Sequence, residues 1–128
     1  MATVEGGTLP AEQQLKEYHP DVEMLRVGSY FGLAMKAGMV AAGDRAAEKA
    51  LKTGRAHLLV LARDISPHVA IELVTIAQKR NLPLLWWPDK DSLGLKVGKS
   101  RRGALAITDK GFAKSIIECC ISQCCISQ

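Results

Sequence analysis

The sequence predicts an α/β sandwich, with helices on both sides of a small sheet. Helical and strand patterns alternate along most of the chain, which is the arrangement that covers a sheet on two faces. The segments at residues 57–62 (HLLVLA) and 82–87 (LPLLWW) are nearly continuous apolar runs, as expected of strands buried on both sides. Helix-start and helix-stop residues stand between these segments at the places such a fold requires.

From Asp21 onward, Val22, Leu25, Phe31, Ala34 and Met35 recur at helical spacing, and the helix stops at Ala37-Gly38 with Gly38 as its C′ residue. Residues 39–42 form a short apolar strand. Gly43-Asp44 opens a second helix running to about Thr53, with Asp44 as N-cap and Ala46, Ala47, Ala50 and Leu51 as its buried stripe. After Gly54 comes the strand at 57–62, in which Leu59 and Leu61 are expected on alternate sides and both buried. Ser66 and Pro67 cap and start a third helix, whose inward face is Val69, Ala70, Leu73, Val74 and Ala77.

That helix closes at Lys79-Arg80, and the strand at 82–87 follows. A short helix spans 89–97 and ends at Gly98; the loop 99–102 leads to a last strand at 103–107, and Thr108-Asp109 caps a final helix reaching about Glu118. Residues 1–21 read as a polar, poorly ordered extension with room for a short helical turn near 11–18, residues 22–117 as one domain, and residues 118–128 as a cysteine-rich tail.

At 128 residues, 48% apolar and 23% charged, the chain has the size and composition of a single globular domain that needs no metal or disulfide staple. Its longest apolar runs fall far short of the roughly 20 residues that span a bilayer, which excludes a membrane-spanning helix. No apolar stretch of signal-peptide length occupies the first residues, so a cytoplasmic location is expected. Lysine and arginine outnumber aspartate and glutamate by 17 to 13, and the distribution of that charge carries more meaning than its total.

The four cysteines, Cys119, Cys120, Cys124 and Cys125, all lie near the C-terminus, in a segment that repeats CCISQ without change. They cannot staple the body of the fold, and adjacent pairs do not match zinc-ligand spacing. They read as an incidental tail with exposed thiols, able to cross-link chains in oxidising buffer, so a monomer is expected under reducing conditions.

No P-loop or dinucleotide glycine pattern follows a strand. Asp64, Ser66 and His68 are the residue types of a hydrolytic triad, but a strand end, a helix cap and a first-turn histidine account for them. His19, His57 and His68 show no ligand spacing, and no cofactor is expected. Trp86 and Trp87 project to opposite sides of their strand and are both expected in the core. The stronger signal is basic. Lys96, Lys99, Arg101 and Arg102 fall in or beside one loop, and Arg45, Lys49, Lys52 and Arg55 lie on or beside the second helix. Brought together by the fold, they would form a basic cleft at a helix N-terminus, suited to phosphates.

Several segments in order, GDRAAEKALKTG (43–54), LLVLARDISP (58–67), NLP (81–83), LGLKVG (93–98) and ALAITD (104–109), resemble the kink-turn RNA-binding ribosomal proteins of the L-seven-A-e and L-thirty-e type, most closely their small bacterial members. The resemblance covers about residues 24–117. It implies a three-layer α-β-α sandwich with a small central mixed sheet, and a non-enzymatic protein that binds structured or ribosomal RNA and associates with the ribosome. In that family an Asn-Glu pair and a following Lys on the helix after the glycine read sheared guanine-adenine pairs. Here those positions hold Arg45, Ala46 and Lys49, so only the lysine is retained. The implied RNA-binding residues are Gly43, Asp44, Arg45, Lys49, Lys52, Asp64, Lys99, Ser100, Arg101 and Arg102. A protein-interaction module that has lost specific RNA binding is the alternative on the same fold.

Overall fold

A computed structural model of the chain describes residues 17, 18 and 24–126, with the side chains of 24, 25 and 121–126 outside the description. The order is β1 (Glu17–Tyr18), α1 (Met24–Lys36), β2 (Val40–Ala42), α2 (Asp44–Lys52), β3 (Leu58–Ala62), α3 (Pro67–Lys79), β4 (Leu84–Trp87), α4 (Lys90–Lys96), β5 (Ala104–Ile107) and α5 (Lys110–Ile126). The five strands form one mixed sheet in the order β1-β4-β3-β5-β2. β4 pairs in parallel with β1 and β3, whereas β5 runs antiparallel to both β3 and β2. This is the three-layer sandwich expected from the sequence.

The period of two in β3 divides the core. Leu58, Val60 and Ala62 pack with Val27 and Phe31 of α1, Leu93 of α4, and Ala113 and Ile116 of α5. Leu59 and Leu61 pack on the opposite face with Ala47, Ala50 and Leu51 of α2 and Leu73 and Ala77 of α3. Leu59 and Leu61 are both buried as expected, but they share a face, because residues two apart in a strand point the same way. Trp87 is buried against Phe31, ring centroids 5.2 Å apart, and its indole N–H donates to Ser92 Oγ at 3.0 Å. Trp86 is only half-buried, contrary to expectation: it packs against the core layer on the α2 and α3 side, and its N–H donates to Glu17 Oε1 of the edge strand β1 at 2.8 Å.

The α1 terminus is as the sequence indicates. Gly38 has φ 74°, its N–H donates to the Met35 carbonyl, and the Met39 N–H reaches back to Ala34, the paired bonds of a Schellman motif. At α2 the expected cap is displaced by one residue. Gly43 is the N-cap and Asp44 the first helical residue, where its carboxylate still complements the helix dipole. Ala46, expected in the buried stripe, is half-buried.

The last helix continues past Glu118 to Ile126, because neither glycine nor proline interrupts it. Ala113, Ile116, Cys119 and Cys120 recur at threes and fours, so the buried stripe runs into the cysteine segment. Cys119 and Cys120 are 7% and 4% exposed, core residues rather than the exposed thiols expected. The side chains of Cys124 and Cys125, and the poor order expected of residues 1–21, lie outside the described residues apart from Glu17 and Tyr18, which are extended, not helical. Among the described residues no helix is long and apolar enough to cross a membrane.

Candidate functional site

The register of β5 builds the site. Ala42 at the end of β2 lies opposite Leu105, and the Gly43 N–H donates to the Ala104 carbonyl at 2.8 Å. The chain entering β5 is thereby held beside the start of α2. β3 fixes it from the other side, with the Ala62 N–H donating to the Gly103 carbonyl at 2.9 Å. Beyond β4, the Asp64 carboxylate accepts from the Lys90 N–H at 2.9 Å, which ties the start of α4 to the same rim.

The result is an open cleft of about 660 Å³ between the N-termini of α2 and α3, lined by Gly43, Asp44, Arg45, Ala46, Ile65, Ser66, Lys90, Arg101, Arg102 and Gly103, with Ala42 at its base. Four cations face one carboxylate across it. Neither Gly43 nor Ser66 makes a side-chain capping bond, so the first-turn N–H groups of both helices lack side-chain caps at the cleft. Gly43 has φ 109°, a conformation that disfavours a Cβ, and a Cβ there would sit 3.8 Å from Arg102 Cδ.

Arg102 is held by its own loop: its Nη1 donates to Ser100 Oγ and to the Arg101 carbonyl, each at 2.9 Å. Arg101 Nε pairs with Asp91 Oδ1 at 2.7 Å, both groups mostly exposed. Such a surface pair is worth little and yields to a stronger anionic partner.

Of the ten residues that the resemblance implies, Gly43, Asp44, Arg45, Arg101 and Arg102 line this cleft. Ser100 orients Arg102, and Asp64 positions α4 rather than facing the cleft. Lys99 and Lys49 are exposed outside its lining, Lys49 one turn beyond Arg45 on α2. Lys52 lies at the far end of α2, 2.8 Å from Glu48; that hydrogen bond, followed by the charge of Glu48, raises its pKa above the ordinary lysine range. Ile65, Ser66, Lys90 and Gly103 line the cleft without being among the ten. Lys90 carries no local signal in the sequence, since contacts distant along the chain, from its N–H to Asp64 and from the Arg102 N–H to its carbonyl, bring it to the rim.

The triad residue types do not assemble. Ser66 caps α3 through its backbone, Asp64 holds Lys90, and His68 stands 3.5 Å from Glu72 on the exposed face of α3. Among the described residues no group of three or more His, Cys, Asp or Glu is placed to hold a metal ion.

The fold is a small α-β-α sandwich with a cleft lined by cations where two helices begin. The chain belongs to the family described as "Ribosomal protein L7Ae/L30e/S12e/Gadd45 family", whose pattern matches residues 26–117. It is 33% identical over 89 residues to the large ribosomal subunit protein eL8 of Picrophilus torridus, covering 69% of this chain and 70% of that one. It is 31% identical over 86 residues to the RNA-binding protein YlxQ of Bacillus subtilis, covering 67% and 86%. The 15.5kD RNA binding protein of Giardia lamblia superimposes with a TM-score of 0.71 over 82% of this chain and 92% of its own, at 17% identity, a likeness of fold.

Proposed function

We propose that the protein is a non-enzymatic RNA-binding module of the cytoplasm, acting as a reduced monomer on structured or ribosomal RNA and associating with the ribosome. The observation that carries this reading is the convergence of Arg45, Lys90, Arg101 and Arg102 on the start of α2. Cations and helix N–H groups aimed into one open cleft suit phosphate oxygens. Relatives named for RNA binding and for the large ribosomal subunit support the same partner.

Recognition divides between backbone and base. Arg101 and Arg102, on the loop, and Lys90 hold phosphates, with Lys99 adding charge beside them. Gly43, Asp44, Arg45 and Lys49 form the helix side, where the guanidinium of Arg45 can address guanine O6 and N7 in a bidentate contact. Ala46 has no acceptor to offer a guanine amino group, so readout of a kink-turn depends on Arg45.

Gel-shift titration against a kink-turn duplex, beside the same duplex with its guanine-adenine pairs replaced, tests the proposal. Binding to both, with preference for the first, is the expected result. Equal binding to both would leave backbone recognition alone, and no binding at low salt would leave a protein-interaction module as the better reading.

A further inference from the structure

A second cleft, of about 620 Å³, opens at the other end of α2, where α2 and α3 both terminate. Lys52, His57, Lys79 and Arg80 line it together with Ile76 and Leu82, and no carboxylate does. One of these cations serves the fold, since Arg80 Nη2 donates to the Lys52 carbonyl at 2.6 Å and so closes the C-terminus of α2. Lys79 has no such structural role, being exposed and without an ion pair among the described residues. Lys52 is in turn paired with the Glu48 carboxylate at 2.8 Å, which leaves Lys79 as the cation of this cleft that neither closes a helix nor meets a carboxylate among the described residues.

The two clefts lie at opposite ends of α2. Arg45, Lys49 and Lys52 are spaced by four and three residues, so they share the exposed face of α2 and run from the first cleft to the second. With nine residues, α2 separates the two ends by about 13 Å. That exceeds the screening length of about 8 Å at physiological salt, so phosphates at the two clefts interact with the protein independently.

We infer that this second cleft is a second contact for RNA backbone, taking a flanking segment of the same RNA that enters the first cleft, with the basic face of α2 as the track between them. The inference rests on the RNA-binding reading of the first cleft. Lys79 is its diagnostic residue, since it lies outside the first cleft and holds no other element in place.

The test compares a short RNA hairpin, whose binding requires Arg101 and Arg102, with the same hairpin extended by a helical turn at each end. Filter-binding titrations across a salt series with Lys79→Ala and Lys79→Glu should leave the short hairpin unaffected. For the extended one, Lys79→Ala should make the slope of log affinity against log salt shallower by about 1, and Lys79→Glu should weaken binding further. No effect on the extended hairpin, or an equal loss on both, overturns the second contact and leaves the first cleft standing. If the unaltered protein binds neither hairpin at low salt, the reading of the first cleft fails and the inference fails with it.

Discussion

The carbonyl of Ser100 lies against the Cα of Gly94, in the space where any side chain at that position would begin. The Lys99 N–H donates to the Gly94 carbonyl at 2.9 Å and the Arg102 N–H to the Lys90 carbonyl at 3.2 Å, so the loop carrying both arginines is folded back on α4. Backbone, rather than a pliable side chain, occupies the space.

Gly94→Ala should therefore displace the loop rather than be absorbed locally. RNA affinity should fall at least as far as in the Arg101→Ala/Arg102→Ala variant, while circular dichroism shows the sandwich retained. Unchanged affinity would mean that the loop's position is not what presents the arginines.

Neutralising Arg101 and Arg102 together should weaken binding to every RNA and make the salt slope shallower by about 1 to 2, since each arginine meets about one phosphate. Asp91→Asn should act in the opposite direction, because it releases Arg101 from its 2.7 Å pair. The gain should be small, within the roughly 0.2–1 kcal/mol typical of exposed ion pairs. Weaker binding by Asp91→Asn would show that the pair orients Arg101 for use.

Arg45→Ala should behave differently from the loop arginines. A guanine contact predicts a loss of about 1 to 3 kcal/mol on the preferred RNA and little on a non-specific one. Titration of both RNAs at one salt concentration decides it, and a uniform loss would assign Arg45 to the backbone. Lys49→Ala should weaken binding in either role.

Burial of Cys119 and Cys120 changes what serine substitution should do. Placing a hydroxyl in the apolar layer between α5 and the sheet should cost about 1 to 3 kcal/mol at Cys119. Urea unfolding midpoints check this, and thiol-reagent kinetics should show Cys119 reacting only as fast as the protein opens. Wild-type stability in Cys119→Ser would restore the incidental reading of the tail.

Most elements were legible in the sequence because they are set by local periods and stops: three central strands, the helix ends at Gly38 and Gly54, and the cap at Asp109, whose carboxylate accepts from the Phe112 N–H at 2.9 Å. The exceptions have physical causes. β1 is a two-residue edge strand with too few positions to show a period. The cysteine segment was set apart by its repeat, although its residues continue the apolar stripe of α5. The shift of the α2 cap to Gly43 turned on a backbone angle that composition does not encode.

Local sequence sufficed for the elements, for the two-sided burial of β3 and for the presence of two basic clusters, since each depends on residues within a few positions of one another. Which cations share a cleft was settled by long-range contacts. The antiparallel register of β5 against β2 places Arg101 and Arg102 beside Gly43 and Arg45, and the bond from Asp64 adds Lys90. The length of α2 carries Lys52 away to join Lys79 and Arg80 instead. Charge acts through space over about a Debye length, whereas sequence records only distance along the chain.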